Sequence, residues 1–314
     1  MKSLRSAALL IVTLSLCTNA WSATSEKSAS AEQFVTPHLD KAAIVVTEFD
    51  GGRIHTLVSP EEVLAVTSHV IETDAHLVVV DTQLTLLHSQ QLRELCDELQ
   101  KPIERVIVTH AHPDHYFGIG AFADAPVYAL PKIRRYIQRR HRFHQSAHKK
   151  MEGDHIPDEI RFPTHDFVAE TLDIDGVKLK LEVVEDAEDV EQVLIELPAA
   201  KILIVQDLVS NGYHAFFGTG PVEPWVETLR SLIARGPEVV LAGHGAPGGG
   251  ELFEDTAQYL EGVSRLAAEA TTRKELIDAV FSAYPERKGP FLVEISAQII
   301  FRDRARREAQ QSVD

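Results

Sequence analysis

Three histidines and one aspartate lie within six consecutive positions about a third of the way along the chain. They are His110, His112, Asp114 and His115. Neutral imidazole nitrogen and carboxylate oxygen are ligands that suit zinc. The first two histidines can point to one side of an extended loop, whereas the turn at Pro113 directs the aspartate and the last histidine toward a second point. The spacing therefore predicts two adjacent metal sites, with a position left open for water.

These residues belong to a loop, residues 109–118, which we call the metal loop. It follows directly on a run of β-branched residues, Val106 to Val108. A short apolar triplet bounded by polar residues favours a buried strand over a helix. In open α/β sheets, ligands bind where loops converge at the carboxyl ends of the strands. We therefore expect the histidines to lie at the end of a sheet strand.

The rest of the chain alternates strand-like and helical segments. Strands are predicted at residues 44–46, 54–58, 68–72, 76–80, 127–130, 167–169, 172–174, 177–183, 193–197, 201–205 and 239–242. The apolar spacing typical of helices occurs at residues 89–99, 132–150, 224–234, 253–270 and 273–284. This order predicts an α+β fold with two strand-rich halves and a helical C-terminal tail.

The composition allows a sizeable core. The chain has 314 residues, of which 44% are hydrophobic and 7% aromatic, enough for one large domain or two small ones. The formal net charge of −16 argues against nucleic acid as a partner, because binding to phosphates needs a positive surface. The composition leaves the oligomeric state open.

The first 20 residues are typical of a secretory signal peptide. Lys2 and Arg5 supply the charged start, and the apolar run that follows is too short to span a bilayer. Small residues favour cleavage after Ala20, and residues 21–41 would form a flexible leader. We therefore expect a periplasmic or secreted protein without a membrane span. After cleavage Cys96 is the only cysteine left, so no intramolecular disulfide can form.

Residues 132–150 form a basic stretch in an acidic chain. The stretch contains eight lysines and arginines, three histidines and no acidic residue. Ile133 and Ile137 indicate one narrow apolar stripe on a helix. Two interpretations are open. The stretch is either a solvated helix face or a rim over the metal loop whose positive field attracts an anionic substrate.

Two residues further along the chain extend the pattern: Asp207 at the end of a predicted strand, and His244 between two glycines. With the metal loop, they make the chain resemble the metallo-β-lactamase-fold hydrolases over residues 42–250. The resemblance implies a four-layer αβ/βα sandwich that holds metal ions at one edge of two facing sheets. Aspartate in place of a cysteine at position 207 resembles the glyoxalase II and lactonase branch. Residues 251–314 would then be a helical extension packed on the same domain.

The resemblance also implies a set of metal ligands. His110 and His112 would belong to the first metal ion, Asp114, His115 and His244 to the second, and Asp207 would bridge the two. Asp81 matches the aspartate that ends an early strand of the family and braces the metal loop.

One position departs from the family pattern. Family members usually place a further first-site histidine shortly before the strand predicted at residues 193–197, where this chain has Glu188. Two histidines and a glutamate are a known zinc set and also resemble the set that non-haem iron prefers. Alternatively, Glu188 is a solvated turn residue and the first site is weak or empty. His214 is either a loop histidine or leans into the site.

The leading hypothesis is an exported hydrolase with two zinc ions that cleaves an ester, thioester, lactone or lactam bond of a small molecule. A water shared by two metal ions is acidified and becomes the nucleophile, with Asp114 and Asp207 as the catalytic carboxylates that orient it. Glu188 motivates one alternative, an iron-dependent oxidase or dioxygenase. Another is a metal-binding protein that kept the scaffold without turnover. Specificity would lie in the loops 132–165 and 208–222, whose conformation the sequence does not reveal.

Overall fold

The computed structural model describes residues 39–311, so the signal peptide predicted for residues 1–20 and nearly all of the predicted leader lie outside the described residues. Within residues 39–311 the chain forms twelve strands: β1 (Ala43–Phe49), β2 (Gly52–Val58), β3 (Thr67–Glu72), β4 (Leu77–Val80), β5 (Ile103–Val108), β6 (Val127–Ala129), β7 (His165–Asp166), β8 (Glu170–Ile174), β9 (Val177–Glu185), β10 (Glu191–Leu197), β11 (Ile202–Ser210) and β12 (Val239–His244). The same range contains seven α-helices: α1 (Leu86–Glu98), α2 (Pro113–Tyr116), α3 (Pro131–Glu152), α4 (Val222–Ile233), α5 (Glu251–Glu269), α6 (Arg273–Ala283) and α7 (Pro290–Gln311).

The strands form two mixed sheets. The first has seven strands in chain order, β1 to β7, antiparallel from β1 to β4 and parallel from β4 to β7. The second has the order β12-β11-β10-β9-β8, with a parallel pair only between β11 and β12. A turn at Asp175 and Gly176 joins β8 to β9, and both residues have positive φ (53° and 87°), as the hairpin turn requires. The strands β8 and β9, and likewise β10 and β11, are antiparallel neighbours and form two hairpins.

Apolar side chains from both sheets form one buried cluster, so the sheets face each other. Ile71 and Val79 of the first sheet share this cluster with Leu181 and Ile195 of the second. Burying such side chains stabilises the fold by roughly 1.5–3 kcal/mol each. Leu92 of α1 and Ile137 of α3 also belong to it and are fully buried. Helices therefore pack on the first sheet.

A second apolar cluster joins the second sheet to the C-terminal helices. It includes Val205 of β11 with Trp225 of α4, Phe253 of α5, Val280 of α6 and Val293 of α7. The result is helix, sheet, sheet and helix in four layers, and the predicted fold class is confirmed. The sequence pattern did not delimit α7, whose buried residues all lie in its first two turns. No helix among residues 39–311 is long and apolar enough to cross a membrane.

One edge of the sandwich brings the ends of several strands together. β5 ends at Val108, directly before the metal loop, and β12 ends at His244. The hydroxyl of Thr67 in the first sheet donates to the carbonyl oxygen of Ala242 in the second, over 2.6 Å. Val66 also forms a bridge to His244. These contacts connect the two sheets beside the metal loop.

Candidate metal centre

All seven residues predicted as metal ligands lie at this edge, in two groups that share one aspartate. The first group is His110, His112, Glu188 and Asp207, and the second is Asp114, His115, Asp207 and His244. Within each group the possible ligand atoms all lie within 4.8 Å of one another. We call these the first and second clusters. Asp207 belongs to both, which is the position that the sequence resemblance implied.

Different elements of both sheets deliver these side chains. The metal loop leaves β5, and the short helix α2 begins at Pro113 and carries Asp114 and His115. Glu188 lies in the five-residue connection between β9 and β10, and Asp207 lies within β11. The site therefore forms only when the two sheets are packed together, because neither sheet supplies a complete cluster.

The spacing of the ligand atoms fits metal coordination. Nε2 of His110 is 3.3 Å from Oδ2 of Asp207, and Nδ1 of His112 is 3.4 Å from Oε1 of Glu188. Nε2 of His244 is 3.4 Å from Oδ2 of Asp207. Zinc bonds of about 2.0–2.2 Å in a tetrahedral arrangement place neighbouring ligand atoms about 3.3–3.6 Å apart. The observed separations match the edges of such a tetrahedron and exceed the ordinary length of an N–H···O hydrogen bond.

Several of these atoms are buried without a hydrogen-bond partner among residues 39–311. They are both carboxylate oxygens of Glu188, Oδ1 of Asp207, and Nε2 of His110 and of His115. Glu188 is only 2% exposed, so the structure excludes the alternative that it is a solvated turn residue. A buried carboxylate without a partner is costly. Because all of these atoms converge on the same two points, the residues present fit divalent cations.

The charge balance of the site leads to the same conclusion. Burial raises the pKa of Glu188 well above its usual range. Burial also opposes ionisation of Asp207, but the imidazoles of His115, His244 and His110 hold its pKa well below the usual range. Burial lowers the pKa of His112, but Glu188, Asp207 and Asp189 outweigh it and raise that pKa to about 10. Without a cation, the site therefore takes up protons to balance its carboxylates.

Asp81 braces the metal loop, as the resemblance implied. Its Oδ2 accepts a hydrogen bond from Nδ1 of His115 over 2.8 Å. Its two oxygens also accept from the backbone N–H and the hydroxyl of Thr109, over 2.8 and 2.7 Å. The Nδ1–H of His244 donates to the carbonyl oxygen of Leu64 over 2.9 Å. Holding Nδ1 in this way leaves Nε2 of both second-cluster histidines free to face a metal ion.

A buried polar chain behind Asp81 was not predicted from the sequence. The side-chain amide of Gln206 donates to Asp81, so its carbonyl oxygen accepts from Nε2 of His69 over 2.9 Å. Nδ1 of His69 then accepts from the hydroxyl of Thr56 over 3.0 Å. Gln206 precedes Asp207 and has a positive φ of 46°. The only signal in the sequence is that Gln206 neighbours a predicted ligand.

Gly243 gives Asp207 the room it needs. A Cβ atom at this position would lie 1.9 Å from Oδ1 of Asp207 and 2.8 Å from its backbone nitrogen. Both distances are shorter than any real contact of a Cβ atom, so a side chain at 243 would displace the aspartate that both clusters share. Glycine is therefore required at position 243 for steric reasons.

His214 and three aromatic residues of this region lie outside the clusters. His214 is buried, with Nδ1 2.9 Å from the hydroxyl oxygen of Tyr259, and contributes to neither cluster. Tyr116 and Trp225 are core residues. Phe216 is half-buried, and its ring packs edge-on against that of His112 with 5.5 Å between centroids.

The sequence profile of the metallo-beta-lactamase superfamily matches residues 62–244. The match covers more than half of the chain, and the protein belongs to this superfamily. Among solved structures, a metallo-beta-lactamase from Pontibacter korlensis is 21% identical with a TM-score of 0.56, and the match covers 70% of this chain and 99% of that one. The mono-zinc form of FIM-1 from Pseudomonas aeruginosa is 20% identical with a TM-score of 0.56, covering 73% and 99% of the two chains. At these identities the likeness establishes the fold.

Proposed function

We propose that this member of the superfamily is a zinc-dependent hydrolase that holds two ions. The observation that carries the proposal is the pair of buried clusters that share Asp207 and leave their oxygen and nitrogen atoms without protein partners. When bound, two divalent cations supply an acidified water and polarise the oxygen of the bond under attack. The fold and the donor atoms support a metal-dependent hydrolase, and the bond cleaved would be an ester, thioester, lactone or lactam.

Asp114 and Asp207 have different tasks in this proposal. Asp114 is 14% exposed at its side chain, so it reaches the solvent side from which a substrate enters. Burial raises its pKa, but His115 and His244 outweigh that effect and keep the pKa below its usual value. It is therefore ionised at neutral pH and can accept a proton from the attacking water. Asp207 is 5% exposed and holds the two clusters in register.

The one cysteine among residues 39–311 does not compete with this chemistry. Cys96, the only cysteine among residues 39–311, is buried in the core cluster, and burial raises its pKa to about 12. A thiol with such a pKa is protonated at neutral pH and is a poor nucleophile. A water positioned by the carboxylates is therefore the nucleophile that this site can supply.

The finer features of the proposal rest on the sequence. The basic and apolar pattern of residues 1–20 supports cleavage after Ala20 and a periplasmic or secreted location. Aspartate rather than cysteine at position 207 supports the glyoxalase II and lactonase branch, with a small-molecule substrate.

Glu188 favours a second candidate function, iron-dependent oxidation. The first cluster contains two histidines and one carboxylate besides the shared Asp207, and two histidines with one carboxylate is the ligand set of non-haem iron oxygenases. A third candidate, binding of metal without turnover, uses the same residues.

Elemental analysis combined with a substrate panel separates these functions. The protein purified without added metal would be assayed for zinc, iron and manganese, and tested on chromogenic esters, thioesters, lactones and lactams. Two equivalents of zinc with turnover support the hydrolase. Stoichiometric iron with oxygen uptake would overturn it in favour of oxidation, and full metal occupancy without turnover on the whole panel would favour binding alone.

A matched pair of variants tests the role of Glu188. Glu188→Ala removes a buried carboxylate from the first cluster, whereas Glu185→Ala removes an exposed one nearby that pairs with Lys132. We expect the first variant to lose one equivalent of metal and the second to retain both. Unchanged metal content in Glu188→Ala would remove Glu188 from the ligand set.

A further inference from the structure

Helix α3 has two sharply different faces. Ile133 and Ile137 are buried against the core, and near the far end the ring of His148 packs edge-on against that of Phe117, 5.7 Å between centroids. At 100° per residue, Arg135, Arg139 and Arg142 lie on the opposite face, and all three are exposed. The inner face of α3 therefore lies beside the metal loop, and its outer face presents arginines to solvent.

These exposed arginines are not used by the fold. Lys132, Arg134 and Lys149 of the same helix form ion pairs with Glu185, Asp166 and Asp158. Four other arginines of this helix form no ion pair with a carboxylate among residues 39–311. They are Arg135, Arg139, Arg140 and Arg142. Four positive charges on one helix of an acidic chain, with a net charge of −16, thus lack an ion-pair partner within the described range.

Two aromatic side chains lie beside these charges. Tyr136 is 39% exposed and Phe143 is 62% exposed, and their seven-residue spacing places them on one stripe of the helix. The guanidinium of Arg140 lies over the ring of Phe143, 4.9 Å from its centroid. We call Arg135, Tyr136, Arg139, Arg140, Arg142 and Phe143 the basic aromatic strip.

We propose that the basic aromatic strip docks on an anionic lipid surface. Such a surface satisfies both kinds of side chain at once, because arginines bind lipid phosphates while aromatic rings enter the region of the headgroups. The strip runs over residues 135–143 of α3, about 13 Å along a straight helix, which suits a flat partner. The acidic remainder of the chain does not prevent docking, since charges beyond about 8 Å are screened at physiological ionic strength.

Docking would fix the orientation of the whole protein. The inner face of α3 lies next to the metal loop, so docking through the strip would hold that loop on the side of the helix that faces away from the lipid. This inference does not depend on which reaction the metal centre performs, and it holds for an enzyme or for a metal-binding protein.

Vesicle binding tests the proposal. The full chain would be mixed with vesicles of phosphatidylcholine, with and without added phosphatidylglycerol, and separated by flotation at low and high salt. We expect binding only with the anionic lipid and release at high salt. Each basic residue near an anionic surface contributes about fivefold to binding, so Arg139→Ala with Arg142→Ala should weaken binding about 25-fold.

The control variant places the same charge change on another basic surface. Arg306 and Arg307 are exposed near the end of α7, and Arg306→Ala with Arg307→Ala should leave binding within about twofold of the wild type. Any contribution from Lys2 and Arg5 is common to all variants. Phe143→Trp adds a direct readout, because its fluorescence should shift to the blue on anionic vesicles.

Three results would overturn the proposal. They are equal binding to neutral vesicles, equal losses in both double variants, and an unshifted Phe143→Trp spectrum in a bound sample. Binding of the strip to duplex DNA without binding to anionic vesicles would also overturn it and would identify a different partner.

Discussion

The two metal clusters share Asp207 but differ in how firmly their other ligands are held. In the second cluster, Nδ1 of His115 is bonded to Asp81 and that of His244 to a backbone carbonyl. In the first cluster, His112 directs Nδ1 itself toward the site and is 21% exposed at its side chain. The carboxylate of Glu188 has no hydrogen-bond partner among the described residues.

Because of this difference, we expect the two clusters to differ in their affinity for metal. A ligand whose second nitrogen is already bonded has its tautomer and orientation set before metal binding. The second cluster is therefore preorganised, whereas the first must order His112 and bring Glu188 into its ionised form when a cation binds. We expect metal to bind in two steps, with the tighter step at the second cluster.

Removal of the shared aspartate should have the largest effect. Asp207→Asn keeps the shape of the side chain but removes the charge that both clusters use. If each of about four ligands carries a comparable part of the binding free energy, the loss is about a hundred- to a thousandfold in metal affinity. We expect this loss at both steps of a titration with a competing chromogenic chelator, and hydrolysis should fall with metal occupancy.

Asp189→Asn is the matched control for this change. Its Oδ2 lies 3.4 Å from the backbone nitrogen of Ala111 in the metal loop, but it belongs to neither cluster. The tighter step should be retained in this variant, and the weaker step should fall far less than in Asp207→Asn, because Asp189 acts on His112 only through its charge. If Asp207→Asn weakened only one step, the shared role of the aspartate would be wrong.

Substitutions at Glu188 should separate the clusters. Glu188→Gln keeps the size of the side chain and removes its charge, so the weaker step should fall by about a hundredfold while the tighter step is unchanged. Glu188→His adds a third imidazole to the first cluster, which favours zinc over iron(II). Competition between the two metals, followed by elemental analysis, measures this preference. A fall in the tighter step for Glu188→Gln would contradict the assignment of the clusters.

Substitution of Asp81, which braces the metal loop, should weaken mainly the tighter step, the reverse of the effect expected for Glu188→Gln. Asp81→Asn cannot accept all the hydrogen bonds that the carboxylate accepts from His115, Thr109 and Gln206. Mutation of such supporting residues typically costs 10–100-fold in metal affinity, and here we expect the loss at the tighter step. Thr109→Val removes one of these bonds together with the 3.0 Å contact between its hydroxyl and Nδ1 of His110, so smaller losses at both steps are expected. If both variants weakened both steps equally, the proposed difference in support between the two clusters would be wrong.

The sequence revealed the ligands better than it revealed their support. His110, His112, Asp114 and His115 are conspicuous because they are chemically dense and follow a β-branched strand. Glu188, Asp207 and His244 were placed by their order along the chain, which the family resemblance supplied. That order carries enough information because the ligands lie at strand ends, whose positions the alternation of strands and turns fixes.

The supporting chain could not be predicted in the same way. Thr56, His69 and Gln206 lie on three strands, and His69 and Gln206 are 137 positions apart in sequence. Their contact depends on how the two sheets pack, which no local pattern specifies. The partner of the inner face of α3 could not be predicted for the same reason. Two isoleucines predict a buried stripe but do not show which residues cover it.

The smallest effect is expected at His69, which supports the second cluster through Gln206 and Asp81. Burial lowers its pKa from 6.5 to about 4, opposed by its hydrogen bond to Gln206. The folded protein therefore keeps His69 neutral between these two values, where the unfolded chain would protonate it. This contribution to stability is complete above pH 6.5 and is lost as the pH falls toward 4. Between pH 7 and pH 5 the loss is about 2 kcal/mol in the free energy of unfolding.

His69→Gln removes the titrating group. Urea unfolding at pH 7 and pH 5 should therefore show a pH dependence smaller by about 2 kcal/mol in the variant than in the wild type. His214 has a pKa lowered by burial to about 4 as well, and its contribution is common to both proteins and cancels in the difference. Equal pH dependence in the two proteins would show that His69 is not held neutral, and the polar chain behind Asp81 would then not explain the firmness of the second cluster.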